Sequence, residues 1–408
     1  MRFCMVTTFY PPFSFGGDAT YVRALSRSIA ARGHMVDVVH CLDAFRLLDQ
    51  RPVEAEPEAN SGIRVHRLRS AFGRLSPLIT QQTGHPGLKS RALQRILSHD
   101  FDVVHFHNIS LVGGPAVLRY SRALVTLYTL HEHWLLCPTH IFWKNKRQAC
   151  DNPTCLRCSL RSGIPPQLWR YTRLRDNALA QVDCLLSPSE YTACLHRKAG
   201  IGPVRVLPLF SMLDSPAPAP LRHSERPRFL FVGRVTAAKG IEPLLTRFAT
   251  APEDDLLVIG DGDLLERLRY AYRRSQNIRF LGRIDQDELG RHYAQATALI
   301  FPSLSPETFG LSIVEGFACG TPAIVSAKAG GAVELVTSTG GGVVYRDQAE
   351  LDTAVRKIGG DVALRNDLSS RARAAHEARF GRDRHIDAYL ELVDTLRAGK
   401  GLPSLEPA

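Results

Sequence analysis

The sequence of 408 residues contains no apolar run that approaches the roughly 20 residues needed to span a membrane as a helix. Its first residues, MRFCMVTTFYPPFSFGG, have neither the basic region nor the apolar core of a secretory signal. Repeats and low-complexity segments are also absent, and 44% apolar with 22% charged residues excludes a mostly disordered or fibrous chain. We therefore expect a soluble, cytoplasmic protein.

Acidic residues are scarce in the first half of the chain. Residues 1–210 carry 26 Lys and Arg against 14 Asp and Glu, whereas residues 211–408 carry 25 against 26. A basic surface attracts phosphate-rich partners, such as anionic lipid headgroups or a pyrophosphate-linked substrate, although it can also be merely a solvated surface. Nucleic acid is not expected as a partner, because the basic residues are dispersed and no recognition motif accompanies them.

Four of the nine cysteines lie close together in CPTHIFWKNKRQACDNPTCLRC. Cys137, Cys150, Cys155 and Cys158 contain one CxxC unit, and such a cluster in a chain without an export signal suits a structural zinc site. His140 could replace one ligand. Because the spacing is irregular, disulfides, free thiols and a catalytic thiol remain as alternatives.

Apolar runs alternate with amphipathic segments twice along the chain, as in RFCMVT and FDVVHFH and again in RFLFVGR, DLLVIGDG and ALIFPS. Runs without internal alternation, separated by helical segments, indicate parallel strands that are buried on both faces. A proline-rich linker, 211–228, separates the two halves. We therefore predict an α/β protein with two Rossmann-like, doubly wound domains, 1–210 and 229–380, facing each other across a cleft. A final helix within 381–408 is expected to pack back on the first domain.

The stretch SLSPETFGLSIVEGFACG places a glycine and a helix start directly after a strand. The helix is expected to begin near Leu311 after Gly310, and its free amides and dipole suit a diphosphate. Glu307 and Glu315 would accept hydrogen bonds from hydroxyls, the first from a sugar ring and the second from a ribose. A merely acidic first turn would explain Glu315 but not Glu307.

Two further segments place basic residues or glycines at expected strand ends. In VGRVTAAKG, Arg234 and Lys239 follow Gly233 and can neutralise a diphosphate as it leaves. In GDGD, Gly262 could bring the backbone close to a nucleotide, or the segment could be a plain turn between a strand and a helix.

The first half offers weaker signals of the same kind. Gly16 and Gly17 lie between the first strand and a helix, as in a loop that approaches phosphate. His131, in TLHEHW at the end of a predicted strand, is a candidate polar contact or proton carrier, although a lone histidine is more often structural. That reservation applies more strongly to three other residues, His107, Asn108 and His133.

In this order and spacing, the motifs resemble the retaining nucleotide-sugar glycosyltransferases of family 4, which have the GT-B fold. The matching elements are the early GG, the histidine of TLHEHW, the GRxxxxKG of 233–240, and Glu307 with Glu315 around FGLS. The resemblance extends over nearly the whole chain and implies sugar transfer from a UDP- or GDP-sugar to an acceptor hydroxyl with retention. It also implies that no divalent metal or other cofactor takes part in catalysis, because Arg234 and Lys239 substitute for the metal.

The resemblance assigns a role to each matching residue. Arg234 and Lys239 would hold the donor diphosphate with help from Gly17, and Glu315 would bind the ribose. His131 would contact the sugar hydroxyls or the charge that develops near the anomeric carbon. The donor sugar would contact Glu307 and the backbone of Phe309, Gly310 and Leu311, and the base would lie by Arg283 and Ile284.

The cysteine-bearing insertion, about 137–158, departs from the family's minimum and follows His131 directly, so we expect it on the acceptor side. A lipid-linked saccharide of cell-surface polysaccharide synthesis, at an anionic membrane surface, would account for the basic first domain. A soluble natural product is the alternative acceptor. A nucleotide-sugar 2-epimerase would need additional carboxylates in the cleft loops of the first half, and the sequence does not offer such a set. A non-catalytic scaffold would be favoured by the loss of Arg234, Lys239 or Glu307, and all three are present.

Overall fold

A computed structural model of the chain describes residues 1–49, 53, 62–213 and 226–401. Most of the predicted linker, 211–228, lies outside these residues. The described strands are β1 Arg2–Val6, β2 Met35–Cys41, β3 Ile63–Leu68, β4 Val103–Phe106, β5 Val125–Thr129, β6 Trp143–Lys144, β7 Gln148–Ala149, β8 Cys184–Ser187, β9 Val204–Val206, β10 Arg228–Val232, β11 Asp255–Ile259, β12 Ile278–Gly282, β13 Ala298–Phe301, β14 Ala323–Ser326 and β15 Gly342–Tyr345.

The described α-helices surround these strands, and short 3₁₀ turns and one π-helical turn, His376–Phe380, connect some of them. They are α1 Gly17–Ala31, α2 Leu42–Leu48, α3 Leu75–Thr83, α4 Ser90–Leu97, α5 Cys155–Arg161, α6 Leu174–Leu179, α7 Glu190–Lys198, α8 Ile241–Thr250, α9 Leu265–Ala271, α10 Gln286–Gln295, α11 Leu311–Ala318, α12 Gly331–Thr339, α13 Gln348–Gly360, α14 Val362–Ala375 and α15 Arg382–Ala398.

Two parallel sheets form the framework. The first has the strand order β3-β2-β1-β4-β5-β8-β9, and the second has the order β12-β11-β10-β13-β14-β15. In each sheet the chain winds outward from one central strand and then returns to wind the other way, so that the order reverses beside β1 and β10. This topology confirms the predicted α/β class with two doubly wound sheets.

The structure also contains strands that the sequence pattern did not predict. β8 and β9 extend the first sheet, and β6 and β7 form a small antiparallel hairpin. β6, β7 and β9 have only two or three residues, so they show too little periodicity to be separated from buried loop. β8 is a four-residue run, CLLS, as long as several predicted strands, and the sequence analysis missed it.

The last helix, α15, packs against the first sheet although it follows the second sheet in the chain. The Tyr389 hydroxyl is hydrogen-bonded to His105 Nδ1 at 3.1 Å, and the Tyr21 hydroxyl is hydrogen-bonded to His385 Nε2 at 2.8 Å. Arg32, directly after α1, forms ion pairs with two aspartates of α15, Asp383 and Asp387. An apolar cluster continues from this contact into the second half of the chain.

Within the described ranges, none of the helices combines the length and the apolar character required to cross a lipid bilayer.

Candidate active site

A cavity of about 870 Å³ lies between the carboxyl ends of the two sheets, where open α/β folds bind ligands. Loops after β1 and β5 form one wall, and loops after β10, β11, β12 and β13 form the other. Every donor-binding and catalytic residue predicted from the sequence lines it: Gly16, Gly17, His131, Gly233, Arg234, Lys239, Gly262, Arg283, Ile284, Glu307, Phe309, Gly310, Leu311 and Glu315. The four clustered cysteines, which are all described, do not line it.

Lys239 and Glu307 form an ion pair in the lining of this cavity. The Lys239 Nζ atom lies 2.7 Å from Glu307 Oε1, and the Ser303 hydroxyl donates to the same oxygen at 2.6 Å. Both charged side chains are partly buried, with 27% and 18% of their surface exposed. The ammonium and the carboxylate therefore hold each other in place while remaining accessible to a ligand.

The backbone around Lys239 requires a glycine at the following position. Gly240 has a φ of 68°, in the left-handed region, and a Cβ atom there would lie 2.0 Å from the carbonyl oxygen of Pro302. The loop after β10 therefore packs directly on the loop after β13. This close approach brings Lys239 to Glu307 although the two residues are 68 positions apart.

Arg234 differs from Lys239 in its surroundings. Its side chain is exposed at the cavity wall and makes no hydrogen bond or ion pair with another residue of the described chain. An unpaired guanidinium at this position is available to an anionic ligand.

Helix α11 begins at the cavity wall and directs its first backbone amides toward the cavity. Gly310 precedes it with a φ of 128°, and no side chain caps this end of the helix. Gly17 of the opposite wall approaches Leu311 closely, because a Cβ atom on Gly17 would lie 3.1 Å from Leu311 Cδ2. A helix N-terminus between two glycines can accommodate an anionic group.

Glu315 lies one turn further along α11 and is almost fully buried. Its Oε2 atom accepts a hydrogen bond from the Tyr293 hydroxyl at 3.1 Å. Burial raises the pKa of the Glu315 carboxyl to about 7, although the Tyr293 hydrogen bond acts in the opposite direction. This carboxyl can therefore gain or lose a proton near neutral pH.

His131 follows β5 on the other wall and is connected to the loop that carries Glu307. Its backbone oxygen accepts a hydrogen bond from the Thr308 hydroxyl at 2.9 Å, and its Nε2 atom lies 2.9 Å from His107 Nδ1. Burial lowers the pKa of His131 to about 3, so the imidazole is neutral at physiological pH. The structure thus brings His131 and Glu307 together across the cavity.

The other polar candidates of the first half do not line the cavity. His107 and His133 are buried, and the His133 ring contacts the tilted ring of Phe142 in the cysteine-bearing insertion. Asn108 bonds to Ser110 and lies 3.4 Å from Asp18.

Two functional positions were missed by the sequence analysis. Thr308, between Glu307 and Phe309, joins the two halves, because its carbonyl oxygen also accepts hydrogen bonds from the Ser189 and Thr192 hydroxyls. Asp18 lines the cavity directly after the glycine pair, and burial, followed by the charge of Glu132, raises its pKa to about 6. Its place next to Gly17 was the only sequence signal.

The cysteine-bearing insertion lies beside His131. Glu132 Oε1 is 2.7 Å from His140 Nδ1, and the backbone amide of His133 donates to the His140 carbonyl. All four clustered cysteines are free thiols, and Cys158 Sγ accepts a hydrogen bond from the Asn145 amide at 3.3 Å. As their side chains stand, no three His, Cys, Asp or Glu groups within the described ranges are placed to hold a metal ion. The structural zinc therefore stays a prediction.

Similar proteins share this architecture. Glycogen synthase of Mycobacterium tuberculosis is 29% identical over 92% of this chain and 90% of its own length. The structure of sucrose-phosphate synthase from Thermosynechococcus elongatus superposes with a TM-score of 0.71 at 22% identity, covering 98% of this chain and 99% of that one. HepE from Anabaena, solved in complex with UDP-glucose, superposes with a TM-score of 0.66 at 19% identity and covers 97% and 100%.

Two family models match adjacent parts of the sequence. The glycosyl transferase 4-like domain matches residues 16–209, and the glycosyl transferases group 1 model matches residues 217–375. Because the two models together cover most of the sequence, and the fold agrees with them, the chain belongs to the group 1, family 4-like glycosyltransferases of the GT-B fold, which transfer sugars from nucleotide sugars.

Proposed function

We propose that this chain moves a hexose from a UDP- or GDP-sugar to an acceptor hydroxyl, with retention of the anomeric configuration and without a divalent metal. The observation that supports this most is the grouping of Lys239, Glu307 and His131 at one end of the cavity, with Glu315 further along α11. The UDP-glucose complex of HepE, a protein of the same fold, supports the nucleotide-sugar donor.

The donor diphosphate is proposed to lie between Arg234, Lys239 and the N-terminus of α11. Lys239 would share its charge between Glu307 and the diphosphate, whereas Arg234 has no competing partner in the described chain. These fixed positive charges would stabilise the negative charge that develops on the leaving group. A divalent metal ion has this role in other sugar-transfer reactions.

The sugar is proposed to lie between Glu307 and His131. The Glu307 carboxylate accepts hydrogen bonds from ring hydroxyls, and the neutral His131 imidazole adds a hydrogen bond rather than a charge. The bond from the anomeric carbon to the diphosphate oxygen breaks while the acceptor oxygen bonds to that carbon on the same face. The acceptor proton passes to the departing diphosphate, so the linkage keeps the configuration of the donor.

A donor panel tests this proposal. Purified protein is incubated with UDP-, GDP- and ADP-sugars, with and without a saccharide acceptor and with a chelator, and released nucleoside diphosphate is measured. We expect release with one nucleotide class, no loss with chelator, and a product whose anomeric NMR coupling matches the donor. Inversion or metal dependence would refute the mechanism. A 2-epimerase would instead change the sugar without an acceptor, and a scaffold would bind the donor without turnover.

The acceptor is proposed to be a lipid-linked saccharide presented at an anionic membrane surface. Around α3 the first half exposes several large apolar side chains beside arginines, which include Arg69, Arg74, Arg91 and Arg95. This apolar patch consists of Phe72, Leu75, Ile79, Leu88, Leu168 and Tyr171. Apolar side chains beside cations are typical of surfaces that lie in a lipid headgroup region.

Hydrogen bonds on the inner side of α3 fix the helix that carries part of this apolar patch. The buried Lys89 ammonium donates to the hydroxyls of Ser76 and Thr80 on the inner face of α3, and the Trp169 indole donates to the Gln81 carbonyl. The apolar side chains therefore stay on the outer face instead of folding inward.

Vesicle binding tests the membrane proposal. We expect the protein to bind vesicles that contain anionic lipid and to be released as salt rises, because exposed charges are screened within about 10 Å at 0.1 M salt. Changing Phe72 and Leu75 to Asp should abolish binding, whereas Tyr270→Asp on the second half is the matched control. Binding that ignores lipid charge would contradict the anionic-surface proposal, and absence of binding would favour a soluble acceptor.

A further inference from the structure

Three histidines lie in a row of ring contacts that ends at the cavity wall, and two of them, His107 and His131, are hydrogen-bonded to each other. His105 belongs to β4, His107 follows it on the same strand face, and His131 follows the neighbouring strand β5. The rings of His105 and His107 are in contact, with centroids 4.0 Å apart and planes tilted by 36°, and both residues are 1% exposed. Only His131 of the three lines the cavity.

The ring nitrogens of this row have unequal numbers of partners. His105 uses both of its nitrogens, Nδ1 with the Tyr389 hydroxyl and Nε2 with the Thr129 hydroxyl at 2.7 Å. His107 uses only Nδ1, which lies 2.9 Å from His131 Nε2. The Nε2 atom of His107 is buried and has no hydrogen-bond partner in the described part of the chain.

This inequality determines where the proton lies between His107 and His131. Both rings are neutral because burial lowers their pKa values, so one nitrogen of the pair must donate and the other must accept. If His107 carried its proton on Nε2, a buried N–H group would have no acceptor, which costs more than an unused lone pair. The proton of His107 is therefore on Nδ1, and His131 Nε2 accepts it.

We propose that His107 is a positioning residue that fixes the tautomer of His131, so that His131 carries its own proton on Nδ1 and donates a hydrogen bond to an oxygen of the donor sugar. This inference rests on the proposed function for its ligand, but its tautomer is a property of the free protein. Since Nε2 is occupied by His107, Nδ1 is the ring nitrogen left to a ligand in the cavity.

Other contacts leave the His131 ring little freedom except its tautomer. Both backbone polar groups of His131 are hydrogen-bonded, because its amide donates to the Thr129 carbonyl and its carbonyl accepts from the Thr308 hydroxyl. The ring of Tyr21 packs edge-on against His131 at 5.3 Å. A change at position 107 should therefore alter which nitrogen is protonated more than where the ring lies.

Nitrogen NMR of the histidine rings tests the inference without turnover. In ligand-free protein labelled with ¹⁵N-histidine, the signals of His131 are assigned by their loss in His131→Asn. We expect the shift pattern of a neutral ring protonated on Nδ1. A ring protonated on Nε2 in the unaltered protein overturns the proposal, whether or not the chain transfers sugar.

Two variants at position 107 provide the matched comparison. In His107→Asn the amide nitrogen occupies nearly the place of Nδ1 and can still donate, so we expect the Nδ1–H tautomer and near-normal transfer. In His107→Leu the donor is lost, and we expect a mixed tautomer with kcat/KM for the donor lower by about 10- to 100-fold. An Asn variant as impaired as the Leu variant, or a Leu variant with unchanged tautomer, would contradict a positioning role. Absence of transfer in the unaltered protein would refute the proposed function, while the spectrum would still decide the tautomer.

Discussion

Lys239 stands out at the residue scale because, among the described residues, its ammonium and the Ser303 hydroxyl are the side-chain partners of the Glu307 carboxylate. We expect Lys239→Ala to lower the turnover of any accepted donor by about 100-fold or more, since it removes a fixed cation from a partly desolvated anion site. Lys328→Ala, at an exposed position outside the cavity, is the control. Near-normal turnover of Lys239→Ala in a donor-release assay would show that the diphosphate binds elsewhere.

Glu315 should make stability depend on pH. Its pKa in the folded chain, about 7, is higher than the ordinary value of 4.5, so the folded state binds the proton more tightly than the unfolded state. The stability of the unaltered protein should therefore fall as pH rises from about 4.5 through 7, by up to about 3 kcal/mol. Glu315→Gln lacks this loss and can still accept from Tyr293. Its melting temperature relative to the unaltered protein should rise between pH 5 and pH 8, and a constant difference would be the contrary result.

At the scale of elements, the glycine after Lys239 holds the loops after β10 and β13 together. Gly240→Ala should destabilise the protein and reduce donor binding, because the new methyl group would meet the Pro302 carbonyl in a left-handed backbone. Gly290→Ala is the matched control, since it lies within α10 with nothing within 4 Å and should stabilise by about 0.5–1 kcal/mol. Thermal unfolding should show a lower melting temperature for Gly240→Ala and a higher one for Gly290→Ala. Equal changes in melting temperature would argue against the close packing of the two loops.

The cysteine-bearing insertion is the element that a metal would affect most. Its four non-glycine residues with positive φ, His140, Phe142, Asn145 and Lys146, are the only ones in the described ranges, which indicates a backbone held by more than local preference. If zinc holds it, elemental analysis should show about one zinc per chain, lowered by Cys155→Ser and not by Cys184→Ser in β8. Metal-free purified protein with full acceptor affinity would remove the zinc prediction.

Elements with a long pattern were predictable from the sequence, and contacts between elements were not. The strands β10 to β15 were predictable because each is an apolar run that ends in a polar or glycine-containing loop. Such strand ends meet at one edge of a parallel sheet. The three-residue strand β9 offered no such pattern, whereas β8 has it and was missed. The bond from Thr308 to the His131 carbonyl depends on the other half of the chain, and no local spacing encodes it.

At the scale of the whole molecule, one carboxylate joins the two halves outside the cavity. Glu334 of α12 accepts hydrogen bonds from the backbone amides of Glu190 and Tyr191, which begin helix α7 of the first half. A carboxylate at a helix N-terminus stabilises through hydrogen bonds and the helix dipole. This contact therefore favours the arrangement of the two halves seen here.

Removal of that carboxylate should loosen the molecule. We expect Glu334→Ala to increase the radius of gyration measured by small-angle X-ray scattering in the absence of donor, and a saturating nucleotide sugar to reverse the increase. Glu350→Ala, which affects a cap within the second half only, should leave the radius unchanged. Identical scattering curves for Glu334→Ala and the unaltered protein would mean that other contacts hold the halves together.

The position of α15 has a consequence for the order in which the chain folds. Tyr21 and His105 of the first half are buried against His385 and Tyr389 of α15, which are synthesised after the whole of the second sheet. When the ribosome has synthesised the strands of the first sheet, which end with β9, the helix α15 that packs against them has not yet been made. We expect the nascent first half to remain accessible to proteases and chaperones until α15 has been synthesised. The two halves would then complete their folding together rather than one after the other.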